Sequence, residues 1–362
     1  MEGGEIEVFD IAWRRDRPVR EAIERFVQGH PEASAYHRPV VLDVMRGVLG
    51  LAVGYLVARD GAGLRGVLPL ALSSSPVFGR FATSLPVVNY GGVVLAPGQR
   101  YDGTVARALV RDGGAWARRR GARDLTLRHT EARPLALPAT RRKETVLLPL
   151  PSGDPEALWR SIGPKPRNLV RKARRCGCEA RVLDGPGAVG AFHRVYAENL
   201  RDLGSPSLPQ RWFEALRAVL GRRFAIHVVT CEGRLAGAAV SVLHGESYEV
   251  PWASTLRAYR SQAANMLLYW HLMEHAIASG ARVFDFGRST PGSGPYRFKL
   301  QWKGARAQPL PWYVVGRQPE AGATAGSLTP DNPRYARAIA LWRRLPVPIA
   351  RVAGGVLTRW LP

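Results

Sequence analysis

The stretch that decides the fold is residues 224–286, FAIHVVTCEGRLAGAAVSVLHGESYEVPWASTLRAYRSQAANMLLYWHLMEHAIASGARVFDF. Its first half contains three β-rich segments separated by short turns: 224–231, 235–243 and 248–254. Residues 261–279 then carry apolar side chains at helical spacing, and residues 282–286 return to strand character. This order predicts a three-stranded meander, a helix and a further strand, which is typical of a mixed α/β domain.

The first half of the chain repeats the arrangement in shorter form. Before residue 151 the patterns predict helices over 18–50 and 102–121, a hairpin of Leu51–Arg59 with Leu64–Leu72, and strands at 86–96, 123–130 and 143–150. After it they predict helices over 155–176, 187–202 and 209–220, and further strands at 178–183 and 310–315. We therefore predict domains at 1–150 and 151–318, followed by a linker and basic tail at 319–362.

Charge and composition narrow the range of functions. The chain has 362 residues and a formal net charge of +23. A positive field of this size attracts nucleic acid, phosphorylated substrates or an anionic membrane face. No Walker loop, Gly-x-Ser-x-Gly elbow or His-Glu-x-x-His pattern occurs, so NTPase, serine hydrolase and zinc protease classes have no support.

Cysteines and apolar runs bear on the compartment. Three cysteines, an odd number, predict free thiols in a reducing compartment, and Cys176-Gly-Cys178 lacks a second pair at metal-ligand spacing, so we expect no metal site. The first residues are acidic and contain no apolar run, unlike a signal peptide. The most apolar stretch, Val48–Ala58, is about half the roughly 20 residues that cross a bilayer. A cytoplasmic protein is expected.

The lysines mark two segments for chemistry. Only five of the 52 Lys and Arg residues are Lys, and four of those five lie within 165–172 and 299–303. A lysine is a compact ammonium on a flexible stem, whereas an arginine is a planar fork, and the two are not interchangeable where a point charge is needed. Since this chain favours Arg for general positive charge, the two lysine segments are the candidate sites.

The first lysine segment predicts a basic helix. Between Ser161 and Cys176 no acid occurs, while seven positions are basic or amide: Lys165, Arg167, Asn168, Arg171, Lys172, Arg174 and Arg175. The N-terminus of a helix supplies backbone N–H groups that favour phosphate. Phosphate binding and a merely solvated charged face are the two interpretations.

Three motifs carry a family resemblance. Residues 166–173, Pro-Arg-Asn-Leu-Val-Arg-Lys-Ala, resemble the Lys/Arg-Asn-x-x-Arg-Lys-Ala segment of FemAB-type peptidyltransferases. The block Asp285-Phe-Gly-Arg-Ser with Gly294-Pro-Tyr-Arg-Phe-Lys-Leu-Gln-Trp302 is similar to that family's Asp-Phe-x-Gly…Phe-Lys block, and Asn89-Tyr-Gly-Gly92 resembles its first-domain loop. The resemblance covers roughly residues 20–318 and is strongest to FemAB-related proteins found beside exosortase (PEP-CTERM) and exopolysaccharide genes.

The resemblance implies two tandem GNAT-like acyltransferase domains, the second of the BioF2-like type. It also implies transfer of an aminoacyl group from aminoacyl-tRNA, with no bound cofactor, to an amine on a peptidoglycan, exopolysaccharide or other cell-envelope precursor. The acceptor would be a phosphorylated saccharide or a lipid-linked intermediate. The implied catalytic residues are Lys299, Asp285 and Arg288, with Lys299 as an exposed electrostatic catalyst. The implied substrate-binding residues are Lys165, Arg167, Asn168, Arg171, Lys172, Asn89, Tyr90, Tyr296, Phe298 and Trp302, although the three aromatic residues of the later block also suit a core.

Two alternatives to aminoacyl transfer remain open. An acetyl-CoA-dependent N-acetyltransferase usually carries Arg/Gln-x-x-Gly-x-Gly/Ala before its long helix, and here Arg260-Ser-Gln-Ala-Ala-Asn265 replaces both glycines. The other alternative is a non-catalytic RNA- or membrane-binding adaptor built on degenerate GNAT domains.

The tail at 334–362 contains six Arg, two Trp and no acid. Ile339, Leu341, Trp342 and Leu345 are predicted to cluster near one helix face, and Pro346 and Pro348 divide the segment into two short helices. We expect either peripheral contact with the anionic inner face of the cell membrane or a helical pair packed against the first domain.

Overall fold

The computed structural model describes residues 6–11, 16–76, 79–316 and 336–360. They form two compact units, one of residues 6–142, 309–316 and 359–360 and the other of residues 143–308 and 336–358. Each unit combines strands and helices, so the predicted mixed α/β class is confirmed. The division differs from the boundaries predicted at 150 and 318, because residues 143–149 pack in the second unit and 309–316 in the first.

The first unit places three helices with a mostly antiparallel sheet. Its elements are β1 (Glu7–Asp10), α1 (Arg17–Gln28), α2 (Pro39–Leu49), β2 (Ala52–Asp60), β3 (Gly63–Ser75), β4 (Gly79–Thr83), β5 (Val94–Leu95), α3 (Thr104–Arg119) and β6 (Asp124–Arg128). Residues 309–316 of β13 (Arg306–Gly316) complete the strand order β1-β2-β3-β4-β6-β13, and β5 pairs with β3. The predicted strand at 310–315 therefore pairs with β6 of the first unit instead of closing the second domain.

The strand predicted at 86–96 is mostly a loop. Only Val94–Leu95 pairs as a strand. The glycine pair marks a close backbone approach, because a Cβ on Gly91 would lie 2.4 Å from the Ser84 carbonyl oxygen. A Cβ on Gly92, whose φ is +101°, would lie 2.7 Å from Nε2 of His129. Tight packing thus replaces the predicted ladder.

The second unit contains the predicted meander. Its elements are residues 143–149 of β7 (Ala139–Pro149), α4 (Pro155–Ser161), α5 (Pro164–Arg175), β8 (Cys178–Val182), α6 (Ala188–Leu203), α7 (Gln210–Leu220), β9 (Phe224–Cys231), β10 (Arg234–His244), β11 (Ser247–Thr255), α8 (Ala264–Ala278), β12 (Val283–Ser289), α9 (Gly294–Leu300), α10 (Ala336–Arg344) and α11 (Val347–Leu357). The strand order is β7-β12-β11-β10-β9-β8, with β11 and β12 parallel and the other pairs antiparallel. The α8 helix and the aromatic side chains of β12 form much of the core.

The helix predicted over 155–176 is two helices. Gly163 interrupts it with a φ of 91°, a left-handed backbone conformation that glycine adopts without strain. Helix α5 therefore has its own N-terminus at Pro164. Because of this break, the basic segment begins at a helix N-terminus, which a continuous helix over 155–176 would not provide.

Two of the three cysteines are not free thiols. Cys178 and Cys231 lie opposite each other on β8 and β9 and form a disulfide, which leaves Cys176 as the free cysteine. The prediction of free thiols is therefore wrong for this pair. It relied on sequence spacing, which does not report that two strands distant in sequence pair in register.

The tail helices α10 and α11 belong to the second unit, whereas one of the two expectations grouped them with the first domain. The indole of Trp342 donates to the carbonyl oxygen of Ser205 at 3.2 Å, and Arg201 of α6 donates to that of Leu345 at 3.1 Å. In the described part of the chain, no helix has both the length and the apolar character that a bilayer crossing requires.

Candidate functional site

The candidate site begins where β11 and β12 separate. The last parallel pair is Glu249 with Asp285. Two residues further along β11, Pro251 has no N–H for the ladder. Two residues further along β12, Gly287 turns with a φ of 72°, and the register with β7 shifts between Asp285 and Arg288. These residues open the sheet directly beyond the two carboxylates.

Both carboxylates at this opening are buried. Glu249 is 6% exposed and Asp285 4% exposed. The Thr145 hydroxyl donates to Oδ1 of Asp285 at 2.5 Å, and the Gly287 N–H donates to the same oxygen at 2.8 Å. Asp285 is thus fixed by hydrogen bonds within the mid-section of β12, whereas the sequence placed it at a strand end. Sequence reasoning missed Glu249, although a lone Glu within an apolar β segment was a usable signal.

Lys299 lies against the same opening and is buried. Its side chain is 6% exposed, and Nζ donates to the carbonyl oxygens of Gly287 at 2.6 Å and Arg288 at 3.2 Å. Burial lowers its pKa to about 8, although the negative charges of Asp285 and Glu249 act in the opposite direction. The sequence-based expectation that Lys299 is exposed in a cleft is therefore wrong, because the side chain is buried.

The charges around Lys299 are of both signs. Arg288 is half-buried on β12, and its positive charge contributes to lowering the pKa of Lys299. The two cations and the two buried carboxylates thus form one electrostatic group. A compact ammonium within such a group can respond strongly to charge that develops nearby, because the surroundings exclude most water.

The aromatic residues of the block have different surroundings. Trp302 is fully buried in the core of the second unit, which leaves its side chain no exposed surface, and its role in substrate binding stays a prediction. Phe298 is partly buried and packs on Tyr269 at a centroid distance of 4.9 Å. The hydroxyl of Tyr296 donates to Oε2 of Glu144 at 2.7 Å, and this hydrogen bond raises the pKa of Tyr296.

Helix α5 presents its cations to solvent. Pro166, Val170 and Ala173 are buried, while the opposite side carries the exposed residues Lys165, Asn168, Arg171, Lys172, Arg174 and Arg175. Arg167 is half-buried, and its Nε donates to the Gly163 carbonyl oxygen at 3.2 Å. The Arg171 guanidinium lies 5.6 Å from the ring centre of Trp159 and donates to Oδ1 of Asn168 at 3.4 Å.

The two lysine segments adjoin in the fold. The N–H of Lys303 donates to the carbonyl oxygen of Ile162 at 3.1 Å. A Cβ on Gly163, which precedes α5, would lie 3.5 Å from Cβ of Lys303. The entrance of α5 therefore contacts the chain immediately after α9, which carries Lys299. Residues about 140 positions apart in sequence meet here.

Asn89 and Tyr90 belong to the first unit and are both buried in its loop. Their burial leaves little side-chain surface for a substrate. Their predicted role in binding stays a prediction.

The turn before α8 keeps a glycine-like backbone without glycine. Ala263, at the position of the first family glycine, has a φ of 57° and a ψ of 28°. At the second position, Oδ1 of Asn265 accepts a hydrogen bond from the Thr255 hydroxyl at 3.1 Å. The turn survives, but a methyl group and an engaged amide occupy the positions where bare backbone would cradle a pyrophosphate.

A second buried polar cluster lies between α8 and the meander. Nε2 of His227 lies 2.9 Å from Oγ of Ser241 and 3.0 Å from the Tyr248 hydroxyl, which in turn lies 2.8 Å from Nδ1 of His275. The ring of His271 is 5.3 Å from that of His227. Burial lowers the pKa of His271 to about 4 and also lowers the pKa values of His227 and His275.

Comparison with known proteins identifies the fold. Residues 165–300 match the acetyltransferase (GNAT) domain family, and this range contains α5 after its first residue, the sheet opening and Lys299. No curated protein matches the chain in sequence.

Three solved structures cover most of the chain. FemX is similar with a TM-score of 0.63 and 13% identity, over 85% of this chain and 97% of that one. A tandem GNAT protein from the clavulanic acid biosynthesis pathway has a TM-score of 0.55 and 20% identity, over 87% and 100% of the chains. The C-terminal domain of a protein assigned as a lysylphosphatidylglycerol synthetase, from Agrobacterium fabrum, has a TM-score of 0.54 and 13% identity, over 82% and 92%. At these identities the likeness establishes the fold, a tandem GNAT-like arrangement, as predicted.

Proposed function

We propose that this protein is an N-acyltransferase of the FemAB type. It would move an aminoacyl group from aminoacyl-tRNA to an amine on a phosphorylated, cell-envelope or exopolysaccharide precursor. The observation that carries the proposal is the buried ammonium of Lys299 beside two buried carboxylates, at the opening between β11 and β12. FemX, by its name, and the lysylphosphatidylglycerol synthetase, by its title, support aminoacyl transfer as the chemistry.

The chemistry is attack of an amine on an ester carbonyl. A C–N bond forms, negative charge develops on the carbonyl oxygen, and the C–O bond to the tRNA ribose then breaks. Lys299 has three N–H groups, two of which donate to backbone carbonyls. We assign the third to the developing oxyanion, where one fixed donor contributes about 2.7–4 kcal/mol.

A carboxylate completes the proton balance. The attacking ammonium must lose protons for the amine to react, and the leaving ribose oxygen must gain one. We assign this proton to Glu249, the buried carboxylate that lies opposite Asp285 in the last parallel pair of β11 and β12. Oδ1 of Asp285 accepts hydrogen bonds from the Thr145 hydroxyl and the Gly287 N–H, which suits a positioning role. Asp285 would then orient the β12 turn.

The exposed cations of α5 would bind the acceptor's phosphates. Lys165 and Arg167 lie in the first turn of the helix. Pro164 and Pro166 in the same turn have no backbone N–H, so the side-chain cations would be the main phosphate contacts. Nucleotide-linked or lipid-linked saccharides carry such phosphates. Both these acceptors and charged tRNA are found in the cytoplasm, where we expect the protein to act, and the exosortase-associated branch remains our proposal for its biological setting.

One observation favours a second candidate, an acetyl-CoA-dependent N-acetyltransferase. The left-handed turn at Ala263 retains the backbone course that a pyrophosphate-binding loop requires. One neighbouring structure is titled as determined without AcCoA. The Ala263 methyl group and the engaged Asn265 amide make this candidate the weaker one.

A donor-competition experiment tests the proposal. Purified protein is incubated with an extract of nucleotide-linked and lipid-linked saccharides and either tRNAs charged with radiolabelled amino acids or radiolabelled acetyl-CoA. We expect label to pass into the extract from charged tRNA only, and the Lys299→Met variant to lose this transfer. Uncharged tRNA serves as the binding control.

Transfer from acetyl-CoA would establish the second candidate instead. Binding of tRNA with no transfer from either donor, in wild type and variant alike, would favour the non-catalytic adaptor.

A further inference from the structure

The tail helices concentrate the exposed apolar surface of the described chain. Of the seven large apolar side chains that are exposed there, four lie on α10 and α11. Their exposed fractions are 66% for Leu341, 54% for Ile349, 71% for Val352 and 43% for Val356. A fifth, Leu203, ends helix α6, to which the tail packs. We call Leu341, Ile349, Val352 and Val356 the outer tail face.

Buried residues on the opposite side of α11 hold the outer tail face in place. Ala350 and Gly354, one helical turn apart on α11, are buried against α6 and the loop after it, and a Cβ on Gly354 would lie 2.8 Å from the backbone nitrogen of Ser207. Ile349, Val352 and Val356 follow the spacing of a single stripe on the other side. The aliphatic side chains therefore remain outside although the helix is docked.

Arginines flank the outer tail face, and the tail helices themselves contain no acid. Arg337, Arg344 and Arg351 are exposed, and residues 336–360 contain neither Asp nor Glu. The exposed residues are aliphatic or basic, with few of the aromatic side chains that anchor protein interfaces. Aliphatic side chains bordered by cations suit the boundary between acyl chains and anionic headgroups.

We propose that the outer tail face docks the second unit on an anionic lipid bilayer. The helices are 9 and 11 residues long and Pro346 separates them, so they would lie along the surface. The net charge of +23 would draw the protein toward such a surface over a longer range. This inference does not depend on the proposed acyl transfer.

Vesicle sedimentation of the full chain tests it. We expect the protein to sediment with vesicles of phosphatidylglycerol and phosphatidylcholine and to remain in the supernatant with phosphatidylcholine alone. The variant Leu341→Gln/Ile349→Gln/Val352→Gln should bind at least about tenfold more weakly, since each aliphatic side chain loses the burial of several methylene groups. The variant Arg337→Gln/Arg344→Gln/Arg351→Gln should lose about fivefold per arginine.

A matched variant separates local charge from net charge. Arg111→Gln/Arg118→Gln/Arg119→Gln also removes three positive charges, but from exposed positions of α3 in the first unit. It should bind anionic vesicles within about twofold of wild type, because those arginines lie outside the proposed surface. All substitutions are at exposed positions, and equal thermal midpoints would verify folding.

Three results would overturn the proposal. One is wild-type protein that does not sediment with anionic vesicles. Another is equal binding by the two tail variants and the α3 variant. The third is a wild-type dimer that the aliphatic tail variant converts to a monomer without any lipid binding, which would make the outer tail face a contact between two copies of the chain.

Discussion

Lys299 is held by the backbone of the strand that it faces. Its two acceptors, the carbonyl oxygens of Gly287 and Arg288, lie at the turn where β12 diverges from β11. The same contacts that position the ammonium therefore also fix the shape of the opening. Burial lowers the pKa of Lys299 to about 8, so the ammonium predominates at neutral pH and is lost just above it.

This pKa gives a prediction for activity. If the ammonium stabilises the oxyanion, kcat/KM should fall as the pH rises through about 8. Unfolding would not explain this fall in activity. The pKa of Lys299 is lower in the folded state than in the unfolded state, where it is about 10.4. Between these two pKa values the unfolded state binds more protons, so the free energy of unfolding increases as the pH rises. The measurement is a pH profile of transfer alongside the thermal midpoint.

Lys299→Met should lower transfer by about 10²–10³-fold at pH 7, the usual effect of one oxyanion donor. It should also cost stability, because two carbonyls lose their donor at about 1–3 kcal/mol each, partly offset by removal of a buried charge. The control is Lys303→Met, an exposed lysine four residues on. A wild-type rate in Lys299→Met, or the same loss in both variants, would remove Lys299 from the mechanism.

The sequence revealed only part of this site. Lys299 and Asp285 could be identified because a rare residue type and a recognisable block marked them. Glu249 could not, because its proximity to Asp285 depends on two parallel strands pairing in one particular register. The burial of Lys299 was equally hidden, since a seven-residue helix gives no periodicity from which to judge its inner face.

Among the helices and strands, α5 is the one whose proposed phosphate-binding role depends most on its N-terminus. Gly163 separates it from α4, and the new N-terminus lies against the segment after α9. Lys165 and Arg167 occupy this end, whereas Arg174 and Arg175 occupy the other, about 10–15 Å away along the axis at 1.5 Å per residue.

Because the two ends of α5 differ in this way, removing two positive charges from one end should affect KM for the acceptor differently from removing two from the other. Lys165→Gln/Arg167→Gln should raise KM for a phosphorylated acceptor by about tenfold or more, since a hydrogen bond to a charged group contributes about 1.5–3 kcal/mol. The value of kcat should stay nearly unchanged, as expected for binding that is equal in ground and transition states. Steady-state kinetics with the acceptor that proves active provide the measurement.

The control is Arg174→Gln/Arg175→Gln, which removes the same charge from the far end and should leave KM within about threefold. An equal rise in KM for both variants would mean that α5 acts only through general charge. A loss confined to kcat would mean that the first pair takes part in catalysis.

Elements with a clear period were predictable, and those shaped by tertiary packing were not. The meander 224–254 was correct to within a few residues because turns and β-rich segments alternate there. The strand expected at 86–96 failed because its apolar residues pack in a loop and the glycines serve close contact. The Cys178–Cys231 disulfide and the pairing of β13 with β6 are long-range events that no local pattern contains.

At the scale of the whole molecule, buried histidines contribute to the response to acid. Five of the eight histidines have pKa values lowered by burial: His129, His193, His227, His271 and His275. An unfolded histidine takes up a proton near pH 6.5, whereas these buried rings resist protonation. Below that pH the unfolded state therefore binds more protons than the folded one.

We predict that the fold loses stability as the pH falls from 6.5 towards 4, where the pKa of His271 lies. His271→Asn should reduce this loss by at most about 1.4 kcal/mol per pH unit, the contribution of a single proton. Thermal unfolding of both proteins across this range provides the measurement. Parallel curves for the two proteins would show that His271 does not contribute to the acid response.

The left-handed turn at Ala263 has an evolutionary consequence. Alanine and glycine codons differ only at their middle base, so a point mutation exchanges the two residues. The backbone at this position already has the conformation that glycine adopts without strain. Asn265 is the larger obstacle, because its side chain is engaged with Thr255. A lineage carrying this chain could therefore recover a pyrophosphate-binding loop, and with it another donor, by changes confined to one turn and with the rest of the fold inherited intact.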